Sequence, residues 1–251
     1  MKKIKPLIIA HRGESYDAPE NTLASINLAW QRGAEAVEID VHLSKDNNVI
    51  VIHDASTKRV SGKSGRIKNL TLHEIKNLDV GSWKNVKYKN EKIPTLEEVL
   101  KTIPPNKKLI IEIKSGVKIL PFLKIEIKRA NLKPNQIEII SFGYAAVKNA
   151  KLILPEYKIL LLADLDYNSY TQLVSPPVEK LIEKVKKANL DGLNVWAGKI
   201  LTEEFTQKVK SKGLLLYVWT VNDFEKTKEL VSWGIDGITT DRANWMREKL
   251  L

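Results

Sequence analysis

Nine short apolar runs punctuate the chain, at 7–10, 36–41, 49–53, 109–113, 137–141, 158–162, 191–195, 215–219 and 236–239, with amphipathic stretches between most of them. Each is rich in Ile, Leu and Val, the pattern of parallel strands that are buried on both faces and crossed over by helices. One pair breaks the rule. The segments 36–43 and 49–54 are joined only by Lys45-Asp46-Asn47-Asn48 and its immediate neighbours, whereas a parallel pair needs a crossover of a dozen or more residues. They are predicted to form an antiparallel hairpin, and a two-residue turn at Asp46-Asn47 sets Asp40 directly opposite His53. Setting 49–53 aside leaves eight strands, each followed by a helix or by a segment ending in one, which is the count of an α/β fold of the (β/α)8 type.

The stretch from about 55 to 93 is too long and too polar for a simple crossover. It carries Gly62, Gly65 and Gly81 and one short helical candidate at 71–78. Loops of this length in compact domains are usually functional or separately structured, so it is predicted as a small insertion over the barrel opening. Thr95, with Glu98 three residues on, then reads as a capping box that starts the next helix. No repeat, heptad array or low-complexity tract interrupts the chain, and residues 1–251 are expected to form one catalytic barrel domain.

Composition narrows the class. A hydrophobic fraction of 43% and a charged fraction of 28% are those of an ordinary globular protein. No apolar run approaches the roughly 20 residues that cross a bilayer. The basic start passes straight into Leu7–Ala10, which is too short for the apolar region of a signal peptide. With no cysteine there is no disulfide framework, thiolate metal site or cysteine nucleophile. A cytoplasmic location and no stable membrane insertion are the expectations.

The net charge of +11 invites a nucleic-acid reading. Its distribution argues against one: only seven of the 41 basic residues are arginine, and the lysines spread along helices such as 180–187 and 207–212, often beside glutamate. A small anionic substrate, with no nucleic-acid partner, is expected instead. Oligomeric state is not legible.

Buried barrel strands should be apolar to their ends, and several here are not. Leu7–Ala10 runs into His11-Arg12-Gly13, Ala36-Val37 into Glu38-Ile39-Asp40, Leu109–Ile111 into Glu112-Ile113-Lys114, and the hairpin strand into His53-Asp54. Residues two apart on a strand face the same way, so Glu38 shares a face with Asp40 and Glu112 with Lys114. Three carboxylates meeting at one end of a barrel repel one another unless a cation joins them. An all-oxygen set suits one divalent cation, Mg²⁺ or Ca²⁺. Histidines beside such an ion are candidates for general acid and base, and Arg12 and Lys114 supply charge for phosphate oxygens. His42, past the acidic pair on the hairpin, and His73, on the helix of the insertion, are read as ordinary packed or exposed histidines.

With these positions in hand the sequence resembles the glycerophosphodiester phosphodiesterase family from about residue 7 to 242. The matching segments are His11-Arg12-Gly13 with Pro19-Glu20-Asn21-Thr22, Glu38-Ile-Asp40 leading to His53-Asp54, Ile93–Leu100, Ile111–Lys114, Ile140-Ser141-Phe142, Val218–Asn222 and Asp236–Asp241. Arg242-Ala243-Asn244 departs from the proline that often follows the last aspartate. The resemblance implies a (β/α)8 TIM barrel with Glu38, Asp40 and Glu112 as metal ligands, His11 and His53 as the acid/base pair, and Arg12 and Lys114 on the phosphate. It also implies that Glu20 and Asn21 orient His11 and Arg12, and that Trp219 walls the alcohol side. The expected reaction is metal-dependent hydrolysis of a glycerophosphodiester to sn-glycerol 3-phosphate and an alcohol. Lysophospholipase D-type or phosphoinositide-cleaving activity on the same barrel is the alternative among enzymes, and a non-catalytic phosphate- or nucleic-acid-binding barrel the alternative of another class.

Overall fold

The structure, a computed structural model, describes residues 5–168 and 173–251; residues 1–4 of the basic start lie outside it. In chain order the strands are β1 (Leu7–His11), β2 (Ala36–Leu43), β3 (Val49–Val51), β4 (Lys108–Ile113), β5 (Ile137–Ser141), β6 (Lys158–Ala163), β7 (Asp166–Asn168), β8 (Leu173–Ser175), β9 (Gly192–Trp196), β10 (Leu215–Trp219) and β11 (Gly237–Thr240). Eight of them run β1-β11-β10-β9-β6-β5-β4-β2, every pair parallel, and β2 returns to β1 to close the ring. This is the (β/α)8 barrel that the apolar runs predict.

The absence of polar alternation has a direct cause in packing. Residues of one parity, such as Ile8, Ala10, Val37, Ile39, Leu109 and Ile111, point outward into one large core shared with the surrounding helices. Residues of the other parity fill the lumen, where Ile9, Ala36, Ile110, Ile140, Leu160, Leu162 and Tyr217 form a second cluster. Both faces of the eight ring strands are therefore largely dry, and an apolar residue is favoured along them by the roughly 25 cal/mol per Å² gained on burial. His11, Glu38, Asp40 and Glu112 continue the lumen parity of Ile9, Ala36 and Ile110. Their side chains close the C-terminal end of the barrel from inside.

β3 lies outside the ring, antiparallel to β2, as the short connection requires. Its register differs from expectation by one residue. Val41 pairs with Val51 and Leu43 with Val49, and the amide of Ile52 donates to the carbonyl of Asp40 (3.0 Å). Asp40 thus faces Ile52 rather than His53. The connecting loop is Lys45-Asp46-Asn47, closed by Ser44 and Asn48, with Asn47 in the left-handed region at φ 63°. A three-residue loop ending in a left-handed residue is the alternative to the two-residue turn, and asparagine accepts that conformation readily.

The segment after β3 is a separately packed insertion. It holds two helices, Lys58–Ser61 and Leu72–Lys76, and two 3₁₀ turns, Ile67–Asn69 and Val86–Tyr88. Ile50 and Ile52 join Val60, Ile67, Ile75, Val80 and Ile93 in a small core of its own. It is pinned to the loop after β1 and to the helix that follows: Lys84 Nζ donates to the carbonyl of Ser15 (2.8 Å), Tyr88 Oη to that of Asp17 (3.0 Å), and the amide of Ala24, in the first turn of helix Leu23–Gln31, to Glu91 (3.2 Å). Thr95 and Glu98 form the expected capping box of helix Leu96–Leu100. The β7–β8 hairpin, between β6 and helix Val178–Lys187, is an element the apolar pattern does not announce. Among the described residues no helix is long and apolar enough to cross a membrane.

Candidate active site

The turn after β1 shapes the site. Arg12 adopts φ 55° and Gly13 φ 85°. A Cβ on Gly13 would meet Ser25 Oγ at 2.5 Å and the Ser25 carbonyl carbon at 2.6 Å, so only glycine lets this turn lie against helix Leu23–Gln31. The turn aims the Arg12 amide at Glu38 Oε2 (3.1 Å) and brings its guanidinium to Glu20 Oε1 (2.9 Å) and Asp40 Oδ2 (3.1 Å).

Register brings the acidic residues together. His11 is level with Glu38 on the neighbouring strand, and Asp40 with Glu112. One oxygen from each of Glu38, Asp40 and Glu112 lies within 4.8 Å of the others, and all three residues are buried. Their protonation preferences diverge. Burial, then the charges of Asp40 and Glu112, push the Glu38 carboxyl well above its ordinary value. Burial and Asp40 likewise push Glu112 up to about 7. Asp40 alone is held below the ordinary range: burial opposes ionisation there, but Arg12, Lys114 and Asn21 outweigh it. Lys114 Nζ reaches Glu112 Oε1 (2.7 Å) and Asp40 Oδ1 (3.3 Å). The protein's own cations thus satisfy one carboxylate fully and leave the trio short of positive charge. That deficit, with an oxygen-only donor set, fits a hard divalent cation.

Each histidine is braced by an aspartate. His11 Nδ1 donates to Asp241 Oδ1 (2.7 Å), and Asp241 also accepts from Ser15 Oγ (3.2 Å) and Asn222 Nδ2 (2.6 Å). Burial works against the Asp241 charge, yet these donors hold its carboxyl down at about 2. His53 Nδ1 donates to Asp54 Oδ1 (2.7 Å). With Nδ1 engaged, Nε2 is the nitrogen each ring has available for the cavity both residues line. Burial lowers the His53 pKa below the ordinary value, with Asp40 and Asp54 acting in the opposite sense. His42 is a packed histidine, as expected, and its packing has a task. Burial keeps it neutral at neutral pH, its Nε2 donates to the carbonyl of His53 (3.0 Å) and its Nδ1 accepts from Ser115 Oγ (3.2 Å), so it fixes the backbone that carries His53.

The structure brings every residue singled out from the sequence to one place. His11, Arg12, Glu38, His53, Glu112, Lys114 and Trp219 line a cavity of about 100 Å³ at the barrel opening, with Asp40 buried directly beneath. Trp219 stands edge-on to Phe142, ring centres 5.6 Å apart, and forms one wall. Glu20 orients Arg12 as expected. Asn21 does not touch His11: its amide holds Asp40, donating to Oδ2 (2.8 Å) and accepting from the Asp40 amide (3.1 Å). The residues to which the sequence assigned no role were Asp241 and Arg59. Arg59 Nη1 and Nη2 bind both oxygens of Glu20 (2.8 Å each), and its Nε binds Asp54 (2.8 Å). Asp241 ends the last strand, where the same strand-end polarity that marked the other residues could have found it. Arg59 left no comparable signal.

This combination on a parallel barrel has a match. A family model described as glycerophosphoryl diester phosphodiesterase aligns with residues 11–244. The chain belongs to that family of phosphoric diester hydrolases. A glycerophosphodiester phosphodiesterase of Caldanaerobacter subterraneus subsp. tengcongensis is 35% identical over 242 residues, 95% of each chain. One from Bacillus subtilis is 31% identical over 254 residues, 94% of this chain and 83% of that one. Among solved structures, an Oleispira antarctica phosphodiesterase in complex with its product sn-glycerol-3-phosphate superposes with a TM-score of 0.87 at 29% identity, covering 98% of this chain and 96% of the other. A glycerophosphodiester phosphodiesterase of Thermotoga maritima gives 0.80 at 28%, covering 98% and 99%. The expectation of an enzyme on a (β/α)8 barrel holds.

Proposed function

We propose that the whole chain acts as one catalytic unit that hydrolyses glycerophosphodiesters to sn-glycerol 3-phosphate and a free alcohol. The observation that carries this reading is the meeting, around one small cavity, of three buried carboxylates within 4.8 Å of one another and two histidines each braced by an aspartate. Family membership and the product-bound relative support the substrate class.

Glu38, Asp40 and Glu112 are the residues that would hold a divalent cation, Mg²⁺ or Ca²⁺. When bound it supplies positive charge to the phosphate oxygens. Arg12, fixed by Glu20, and Lys114, fixed by Glu112, add charge from two further directions without having to reorganise. His11, at the C-terminal end of β1 and backed by Asp241, takes the proton of the attacking hydroxyl through Nε2. His53 lines both the inner cavity and the open trough beside Phe142, the route by which the alcohol departs, and so gives its proton to the leaving oxygen. The negative charge of a bound phosphate favours the protonated imidazole that this role needs. One phosphorus–oxygen bond forms and one breaks; the proton gained by His11 and the proton lost by His53 balance over the cycle.

The test is release of sn-glycerol 3-phosphate from glycerophosphocholine, glycerophosphoethanolamine and glycerophosphoinositol, with and without EDTA. Full activity in chelator removes the cation from the reading, and no release from any of the three overturns the reading as a whole. Phe142 and Trp196, 46% and 42% exposed at the ends of their strands, favour a second reading in which an apolar tail lies on the rim. Faster cleavage of lysophosphatidylcholine than of glycerophosphocholine would establish it.

A further inference from the structure

The inner cavity holds a compact group and little more. At about 100 Å³ it opens into a trough of about 540 Å³ through the shared residues His53, Glu112, Lys114 and Phe142. That trough passes, through His42, Ala55 and Lys114, into a second one of about 520 Å³. The three spaces adjoin one another, with Lys114 on the wall of each. An alcohol esterified to a phosphate at the carboxylate trio has the two troughs beside it.

The far trough has an uneven charge. Lys45, Arg66, Lys68 and Lys118 line it, with the hydroxyl-bearing Ser44 and Ser115, and no aspartate or glutamate does. The four cations come from three separate segments: the β2–β3 loop, the first 3₁₀ turn of the insertion with the residue before it, and the 3₁₀ turn Gly116–Ile119 after β4. They are not one face of a lysine-rich helix. Elsewhere on the surface Lys101, Lys128, Lys208 and Lys226 each pair with a nearby carboxylate. Among the described residues none of the four trough cations does. Lys45 has Glu74 in its neighbourhood, but Arg66, Lys68 and Lys118 crowd it with like charge, and a dianion among the four relieves that repulsion.

We propose that the trough lined by Lys45, Arg66, Lys68 and Lys118 is a subsite for a second phosphate carried by the leaving alcohol, so that the preferred substrates are glycerophosphodiesters of phosphorylated polyols. The subsite rests on the diesterase reading given above and adds to it the chemical class of the alcohol. Hydrolysis then releases sn-glycerol 3-phosphate and a polyol phosphate, with the leaving oxygen protonated as before.

The test compares glycerophosphoglycerol with the same diester phosphorylated on its distal glycerol, using protein saturated with Mg²⁺ or Ca²⁺. The expected result is a kcat/KM at least tenfold higher for the phosphorylated diester, with the gap closing in 0.5 M NaCl as exposed charges are screened. Arg66→Ala with Lys68→Ala should lower kcat/KM for the phosphorylated diester about tenfold and leave glycerophosphoglycerol within twofold. Lys118→Glu, from a different segment, should do the same, which guards against local damage to the insertion. Equal rates on the two substrates with the parent protein would overturn the subsite, as would variants that slow both alike. Oligonucleotide binding that the double variant abolishes, with no substrate preference, would assign the trough to nucleic acid and also overturn it. Cleavage of neither diester would instead show that the diesterase reading had failed.

Discussion

Nδ1 of His11 lies 2.7 Å from Oδ1 of Asp241, a residue 230 positions further along the chain. The barrel makes this contact by closing β11 onto β1 in register, Ala10 level with Thr240. A carboxylate here fixes the ring and leaves Nε2 for the cavity, which supports the proton-accepting role proposed for His11. Asp241→Asn should therefore lower kcat by about 100-fold or more, the usual range for impaired acid–base catalysis, with the far-ultraviolet spectrum and melting temperature close to those of the parent. A kcat within a few-fold of the parent would show that the ring needs no brace.

Arg59 ties the insertion to the barrel by binding Glu20 and Asp54, the supports of Arg12 and His53. Arg59→Ala should cost about tenfold in kcat/KM while barely moving the melting temperature, because the ion pairs are partly exposed and add little to stability. Arg59→Lys should fail to restore the rate, since an ammonium cannot span two carboxylates as a planar guanidinium does. Full rescue by lysine would reduce the role to charge alone.

The charge deficit among Glu38, Asp40 and Glu112 has a readout that needs no substrate. A ligand at 100 times its Kd stabilises the folded state by about 2.7 kcal/mol, which for a domain of this size is roughly 5–10 °C in Tm. Adding Mg²⁺ or Ca²⁺ should produce a rise of that order, measured by differential scanning fluorimetry. Asp40→Asn should abolish it. An unchanged melting temperature at millimolar cation would speak against the site.

Glu126, on helix Leu120–Arg129 and away from the active site, has one carboxyl oxygen buried without a partner. Burial, with Glu97 adding to it, pushes its pKa up to about 7 from 4.5. The folded state then keeps a proton that the unfolded state has already released, so stability falls as pH rises from about 4.5 through 7 and levels off above. Glu126→Gln should be more stable than the parent at pH 8, with the advantage shrinking on acidification and gone by about pH 4.5. Urea titrations at several pH values would reveal it, and a constant difference across that range would refute the titration.

Much of the fold and of the site is legible in the amino-acid sequence. The eight barrel strands announce themselves because burial on both faces demands unbroken apolar runs, and His11, Glu38, Asp40, Glu112 and Lys114 announce themselves by interrupting those runs at one end. The hairpin followed from the length of its connection. Its register did not, because whether Asn47 adopts a left-handed conformation decides between a two- and a three-residue loop, and asparagine is compatible with both. In the insertion the helix expected within 71–78 is present at Leu72–Lys76, whereas Lys58–Ser61 and the two 3₁₀ turns were hidden, because so short a segment is held by a local core around Val60 and Ile67 rather than by its own periodicity. Asp241 was seen but given no task, since its partner comes from the opposite end of the chain. The role of His42 could not be read either: it acts through a backbone carbonyl, and such contacts leave no residue pattern.

The amide of Val51 donates to the carbonyl of Pro94 (2.9 Å), and Ile50 bridges to Thr95, so the chain leaves the ring and rejoins it side by side. A loop whose ends already meet changes length at little entropic cost, each doubling adding only about 0.6 kcal/mol. His53, Asp54 and Arg59 all ride on this loop, while the carboxylate trio stays on the barrel. The fold therefore puts part of the proposed site on a segment whose length can change while the carboxylate trio stays fixed on the barrel, with the Arg59–Glu20 pair as the link any such change must keep.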